Sequence, residues 1–146
     1  MKIEVKIENT YREPKVIILT DQMTDEVNEI ITKLSENTPQ MIAGFQDDLL
    51  KVLDQEEIFN LFTENGRVFA RTSGGVYSLR TRMYELEERL DKKSFVRISN
   101  SEIINLKKVK AFDLSLSGTI LVSLLNGTVT YVSRRYVPKI KQLLGI

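Results

Sequence analysis

The sequence of 146 residues contains no cysteine, no histidine and no tryptophan. Without cysteine there is no thiol nucleophile and no redox pair, and without cysteine or histidine the usual zinc ligands are missing. The imidazole that most often serves as a base near neutral pH is missing too. The carboxylate pairs Asp47-Asp48 and Glu56-Glu57 offer no substitute, since neighbours along a strand point to opposite faces. We therefore expect a protein that is not an enzyme and that holds no metal or cofactor.

Long hydrophobic runs are absent as well. The longest, at 16–19 and 120–125, are too short to span a bilayer, and the start Met1-Lys2-Ile3-Glu4 begins no secretory signal. With 42% apolar and 28% charged residues, the composition is that of a globular protein able to bury a core without disulfides. We expect a cytoplasmic protein of one domain with a small appendage.

The near-neutral net charge conceals an asymmetry along the chain. Residues 1–60 carry 6 Lys and Arg against 13 Asp and Glu, a formal charge of −7, whereas residues 61–146 carry 15 against 7, a charge of +8. After Asp91 only Glu102 and Asp113 oppose the basic side chains. Such a surplus suggests a polyanionic partner, although Lys and Arg that simply solvate a surface would give the same count.

The first 38 residues predict a small acidic β-β-α region. Residues 2–8 alternate between charged and β-branched side chains, which predicts a half-buried strand, and a second strand follows at 16–20. Thr24 can cap a helix that ends at Asn37-Thr38-Pro39, with an apolar stripe of Val27, Ile30, Ile31 and Leu34. We expect this region to serve input or dimerisation, and we place its boundary near Thr38-Pro39.

From residue 39 onward the pattern is that of short strands. Three of the joints, Asn65-Gly66, Gly74-Gly75 and Asn126-Gly127, carry hairpin chemistry, because these residues adopt the positive φ that tight turns need. Two helices interrupt the strands, one at 81–91 and one at the C-terminus. The strands are predicted at 41–45, 49–53, 58–62, 67–71, 76–79, 95–98, 103–106, 119–125 and 128–132.

Alternation along these strands also predicts the core. Asn105 is polar inside an apolar run, and we expect it to satisfy backbone groups of the sheet. The side chains expected to point inward are Phe95, Ile98, Ile103, Ile104, Leu121 and Tyr131.

The stretch FVRISNSEIINL at 95–106 resembles the most recognisable part of the LytTR family of bacterial DNA-binding domains. That part has Phe-x-Arg, a Ser, then two aliphatic residues and Asn. The resemblance continues upstream through Val76-Tyr77 and the predicted helix at 81–91, and downstream through the segment VSRRYVPK at 132–139. It covers about residues 40–146. One departure is Ser99, where many members carry His, so any contact made by that imidazole is in doubt here.

The resemblance implies a mainly β, elongated meander with two short helices that reads double-stranded DNA through loops between strands. Members typically activate transcription from repeated half-sites, so we expect a homodimer, at least on DNA. Residues 1–38 are too few for a receiver domain, which points to a stand-alone regulator. Such members are often controlled by a membrane-protein partner. No small-molecule ligand is indicated.

The family's base-reading positions fall on Asn100 and Arg134 of this chain. An amide can recognise one adenine edge, and a guanidinium fits the two major-groove acceptors of guanine. For Asn100 the competing interpretation is an Asn chosen for a turn with positive φ, and for Arg134 it is a contact with phosphate alone. The third reading loop maps near Asn65 and Arg67, although hairpin geometry by itself also accounts for Asn65-Gly66.

The remaining candidates are contacts with the DNA backbone. Arg135 lies where the chain enters a helix, which favours a phosphate contact over a solvated side chain only slightly. Ser99, Ser101, Lys107 and Lys108 would fix register while carrying little sequence information, and solvated side chains account equally well for Lys107 and Lys108.

Three function classes remain after these arguments. The leading hypothesis is a sequence-specific transcriptional regulator. The alternative is a non-enzymatic protein-interaction module with a basic face, which predicts no salt-steep DNA binding. RNA binding is a third, but the sequence shows no interleaved aromatic and basic ribonucleoprotein pattern.

Overall fold

The computed structural model describes residues 1–36 and 41–146. Its contacts divide the chain into two units, Met1–Asn37 and Thr38–Ile146. The predicted helix end and boundary at Asn37-Thr38-Pro39 lie outside the described residues. Within the described residues no helix has the length and apolar character needed to cross a membrane.

The first unit contains one helix, α1, over Asp25–Glu36. Thr24 caps it as predicted, since its Oγ1 accepts from the Val27 amide at 3.3 Å. The strands predicted at 2–8 and 16–20 are wrong: residues 1–23 form no strand, and Ile3, Val5 and Ile7 are 82%, 80% and 90% exposed. Alternation makes a segment competent to pair, but a strand forms only where a neighbour satisfies its backbone and covers its apolar face.

The second unit is mainly β, which confirms the predicted fold class. The strands form two antiparallel sheets, one of seven strands in the order β2-β1-β5-β4-β3-β7-β6 and one of three in the order β10-β9-β8. The elements are β1 (Ile42–Gln46), β2 (Leu49–Leu53), β3 (Ile58–Glu64), β4 (Arg67–Thr72), β5 (Gly75–Leu79), α2 (Met83–Arg89), β6 (Phe95–Ser99), β7 (Glu102–Asn105), β8 (Val109–Asp113), β9 (Ile120–Leu124), β10 (Val129–Val132) and α3 (Val137–Leu144).

Two elements differ from the prediction. β8 was not anticipated, because Val109 is the only β-branched residue in VKAFD and the alternation is weak. Helix α2 is shorter than the predicted 81–91. Short 3-10 turns at Gln55–Glu57 and Leu106–Lys108 link strands, and a third at Arg134–Tyr136 leads from β10 into α3.

Hairpins form at all three predicted joints, but only Asn65-Gly66 is the predicted two-residue turn, between the paired Glu64 and Arg67. Thr72 pairs with Gly75, so the β4–β5 turn is Ser73-Gly74, one residue earlier than predicted, and the bond from the Leu124 amide to the Thr128 carbonyl makes the β9–β10 loop three residues long. At Asn65-Gly66 both residues adopt positive φ, 51° and 74°. At Gly74-Gly75 and Asn126-Gly127 only the second residue does, with φ of 121° and 88°. These turns close the β3–β4, β4–β5 and β9–β10 hairpins, whose registers the structure records.

The apolar core has two clusters, one on each face of the large sheet. The first includes Ile42, Leu61 and Leu86, so α2 packs against this face. The second joins the two sheets and α3 through Val96, Ile98, Ile104, Ile120, Val122, Leu124, Val132 and Ile140. Phe95, Ile98, Ile103 and Ile104 are buried as predicted.

Two residues predicted to point into the core, Leu121 and Tyr131, do not. Ile120, Val122 and Leu124 point inward on β9, which leaves Leu121 half-buried on the other face, and Tyr131 on β10 is 57% exposed. The strand 120–125 is apolar at nearly every position, so its sequence does not reveal which face is buried. Asn105 is structural as predicted: it is 1% exposed, donates to the Ile58 carbonyl at 2.9 Å and accepts from the Lys107 amide at 3.0 Å.

A polar network ties the two sheets together. Arg71 of β4 donates to the Asn60 amide oxygen of β3 at 3.1 Å, and Asn60 donates to Glu102 of β7 at 3.0 Å. The second carboxylate oxygen of Glu102 accepts from the Thr130 hydroxyl of β10 at 2.5 Å. Charge-assisted bonds of this kind are stronger than neutral ones, so the network fixes how the second sheet lies on the first.

Candidate nucleic-acid interface

The turn between β6 and β7 presents Asn100 to solvent. The hydroxyl of Ser99 accepts from the Ser101 amide at 3.2 Å and lies 3.3 Å from the Ser101 hydroxyl. Asn100 is exposed and does not have positive φ, because Asp47 and Asn65 are the only non-glycine residues with that conformation in the described chain. Turn strain therefore does not account for an Asn at this position.

Arg97 holds this turn from beneath. Its guanidinium donates to the carbonyls of Ser99 at 3.1 Å and Asn100 at 2.7 Å, and it pairs with Glu87 of α2 at 2.9 Å. The Arg97 side chain is only 18% exposed. A planar guanidinium can satisfy several acceptors at once, so Arg97 links the turn to α2.

The entry to α3 lies against the same turn. The Ser133 amide donates to the Ile98 carbonyl at 2.9 Å, and the Tyr136 hydroxyl donates to the Asn100 amide oxygen at 3.1 Å. That oxygen has a second lone pair and the amide nitrogen two protons, so the Asn100 side chain is oriented while keeping its capacity to bind.

Arg134 and Arg135 are exposed in the 3-10 turn that begins here. A Cβ added to Gly118 would lie 3.5 Å from Nε of Arg134, so the guanidinium lies beside the β8–β9 loop. The turn carrying Asn100, the segment carrying Arg134 and the loop carrying Gly118 therefore form one contiguous surface.

The β3–β4 hairpin lies at the same end of the large sheet. Phe62 of β3 pairs with Glu102, the first residue of β7, and the Thr63 amide donates to the Ser101 carbonyl at 2.8 Å. Asn65 is exposed at the tip with φ of 51°, which agrees with selection for the turn itself. Arg67 is exposed, and its Cζ atom lies 5.9 Å from the centre of the Phe69 ring. Asn65 and Arg67 are thus brought to the end of the sheet that carries Asn100.

Lys107 and Lys108 lie at the other end of β7. The strand runs from Glu102 to Asn105, a rise of about 10 Å, before the 3-10 turn that contains both lysines. Lys108 is half-buried, with Nζ 5.3 Å from the Phe59 ring centre. The structure therefore separates these two residues from the other candidates.

One acidic group beside this surface has a perturbed acidity. The Ser115 hydroxyl and amide both donate to Asp113, at 2.6 Å and 2.9 Å, and these bonds lower the pKa of the Asp113 carboxyl. Among the described residues no group of acidic side chains could hold a metal ion. Asp113 therefore stays ionised near neutral pH and places a negative charge at the start of the β8–β9 loop.

Sequence reasoning missed the residues that position the site. The sequence identifies Arg97 only as one of the basic residues and as part of the Phe-x-Arg motif, and it gives Tyr136 no role at the site. The signal that could have identified Arg97 is its position: it lies at an inward-facing strand position, three residues before the exposed Asn100. No local signal reveals the Tyr136 contact, because its partner lies 36 residues away.

The fold and this surface define a mainly β nucleic-acid-binding domain. A match to a known family identifies the kind of domain. The model of the LytTr DNA-binding domain matches residues 48–145. The chain belongs to this family.

The relatives agree with that assignment. Proteins of Staphylococcus aureus strains NCTC 8325 and MRSA252, each described as an uncharacterized HTH-type transcriptional regulator, are 31% identical over the whole of this chain and 99% of their own length. The LytTr DNA-binding domain of a methyl-accepting/DNA response regulator from Bacillus cereus shares the fold, with a TM-score of 0.70 and 24% identity over 73% of this chain and 97% of that domain. The chain is similar to DNA-binding regulators in sequence and in fold.

Proposed function

We propose that this protein is a sequence-specific transcriptional regulator that reads double-stranded DNA through the surface carrying Asn100 and Arg134. The observation that carries the proposal is the Tyr136–Asn100 hydrogen bond, which holds the turn of Asn100 against the 3-10 turn Arg134–Tyr136 and so brings Asn100 and Arg134 to one exposed surface. Asn100 reads an adenine and Arg134 a guanine in the major groove, each worth on the order of 1–3 kcal/mol of discrimination. Arg135 binds phosphate beside them.

Loops rather than a recognition helix make these contacts. Although the relatives carry the description HTH-type, no two α-helices follow each other directly in the described residues of this chain. Asn65 and Arg67 extend the surface along the end of the sheet. Ser99 and Ser101, bonded to each other, set the orientation of the turn and donate to phosphate. Lys107 and Lys108 lie at the far end of β7, so the phosphates they contact are separate from those beside Asn100 and Arg134.

The binding unit on DNA is a homodimer that occupies repeated half-sites in the cytoplasm. One domain of this size covers few base pairs, so two copies are needed for an operator of useful specificity. The basic surplus of residues 61–146 supplies the salt-dependent attraction common to all sequences. A membrane-protein regulator, which the family resemblance implies, stays a prediction.

The test is selection of bound duplexes from a random library, followed by anisotropy titration of the selected duplex and a scrambled control at several salt concentrations. We expect a repeated motif whose preference over the control falls at least about tenfold in Asn100→Ala and in Arg134→Ala. Lys107→Ala is the matched control: it removes a basic side chain at the far end of β7 and should keep the preference.

The opposite outcome is equally clear. If selected and scrambled duplexes bind equally weakly and with little dependence on salt, the basic surface serves an acidic protein partner and the interaction-module alternative takes the lead. If single-stranded RNA competes better than duplex DNA, the proposal is also wrong.

A further inference from the structure

Two parts of this chain are competent to form β structure, and among the described residues of its own unit neither has a partner for the backbone groups it exposes. One is the segment 2–8, whose alternating pattern predicted a strand and which forms none. The other is β2, the outermost strand of the seven-stranded sheet. Open edges of this kind expose a row of unpaired backbone groups that invites another strand.

The hairpin register shows which backbone groups of β2 are open. Gln46 pairs with Leu49 across a two-residue turn, so Leu49, Lys51 and Leu53 bond to β1. The N–H and C=O of Leu50 and Val52 therefore point away from the sheet. The side chains of Leu50 and Val52 are 62% and 57% exposed.

The opposite edge of the same sheet is partly covered. Along β6, the outermost strand there, the Ile98 carbonyl accepts from the Ser133 amide. Among the described residues, no comparable contact covers the outer edge of β2. This strand also carries exposed apolar side chains, which protected sheet edges usually lack.

The segment 2–8 matches this edge in pattern and in charge. In an antiparallel register with Val5 opposite Leu50, Ile3 lies opposite Val52 and Glu4 opposite Lys51. The apolar side chains then share one face, and the single basic side chain of β2 meets an acidic one. Cross-strand apolar and opposite-charge pairs both stabilise a sheet.

We propose that residues 2–8 of one copy add to β2 of a second copy in this register, forming a homodimer by strand addition. A second copy is the occupant because each chain carries one strand-competent segment without a strand beside it among the described residues of Met1–Asn37, and one open sheet edge in Thr38–Ile146, so two copies satisfy both elements reciprocally. Reciprocal exchange closes the assembly at two copies.

The absence of cysteine makes a disulfide test unambiguous. Glu4→Cys and Lys51→Cys are made in separate full-length chains, mixed and oxidised, so that a mixed disulfide joins two copies. A directly opposed pair without ladder hydrogen bonds has Cα atoms about 4.5 Å apart, within disulfide range. The control is Lys6→Cys mixed with Lys51→Cys, whose cysteines are two residues out of register. We expect the mixed disulfide to form in the first mixture and to be nearly lost in the second.

A second measurement uses no cysteine. Leu50→Pro removes an N–H that points away from β1, so it leaves the β1–β2 ladder intact while blocking strand addition. Deletion of residues 1–8, which are exposed and form no strand, removes the other partner and keeps the test valid should Leu50→Pro not fold. By sedimentation we expect the wild-type chain at twice its 16.8 kDa and the deletion variant at 16.8 kDa.

Three results would overturn the proposal. They are a monomeric wild type at every concentration, a dimer that survives the deletion, and a Glu4→Cys/Lys51→Cys double variant that closes its disulfide within one chain. All measurements are made without DNA, so their failure would leave the proposed DNA binding untouched.

Discussion

Arg97 has two possible roles: it hydrogen-bonds the turn that carries Asn100, and it adds positive charge to the surface. Replacing Arg97 by lysine keeps the charge and tests the hydrogen-bonding role alone. The guanidinium bonds two turn carbonyls and Glu87 from one planar group. A lysine ammonium keeps the charge but cannot span these acceptors, so at least one bond to the turn is lost. A hydrogen bond from a charged donor contributes about 1.5–3 kcal/mol, and we expect the free energy of unfolding to fall by about that amount.

The effect on DNA should be specific. A displaced turn misplaces Asn100, so the preference for the selected duplex over the scrambled one should fall about tenfold or more, while binding to the scrambled duplex is kept. Urea denaturation followed by circular dichroism gives the stability, and anisotropy gives the preference.

The matched control is Glu87→Gln, which removes only the partly exposed ion pair and leaves both bonds to the turn. Such a pair contributes about 1 kcal/mol or less, and the DNA preference should not change. If Arg97→Lys lowers stability yet keeps the full preference, Asn100 does not read DNA from the position described.

Three further changes test other parts of the structure. Tyr136→Phe removes the bond that orients the Asn100 amide, so discrimination at one base position should fall by about 0.5–1.5 kcal/mol in competition with single-base variants, with no change elsewhere. Asn105→Ala leaves the buried Ile58 carbonyl without its donor and should cost about 1–3 kcal/mol in urea unfolding, a value that a solvated Asn would not reach. The Asp113 carboxyl should titrate below its ordinary pKa by NMR and return toward it in Ser115→Ala. Since folding lowers this pKa, the associated stabilisation is present above the unfolded pKa and is lost as pH falls through the folded one.

The sequence was most informative where local chemistry decides the structure. Asn65-Gly66 had to be a tight turn because both residues adopt positive φ, and Thr24 had to cap α1 because its hydroxyl reaches a free amide. Asn105 was correctly predicted as structural for a similar reason: a lone amide in an apolar run must find backbone partners.

It was least informative where a distant partner decides. The segment 2–8 has the pattern of a strand but no strand beside it among the described residues of its own unit, and the face that β9 buries depends on the packing of the second cluster. For the site, the exposed positions of Asn100 and Arg134 were predicted, but not the contacts of Arg97 and Tyr136 that orient and join them. Those contacts are set by how the two sheets pack.

The network of Arg71, Asn60, Glu102 and Thr130 has a consequence for the DNA that such a protein can accept. It clamps the second sheet, from which Arg134 follows, onto the first, which carries Asn100. The spacing between the backbone positions of the two residues is therefore set by the protein. One inserted base pair moves its neighbours by about 3.4 Å along the helix axis. A domain braced in this way cannot stretch to follow, so the distance between the two bases within a half-site should matter as much as their identity.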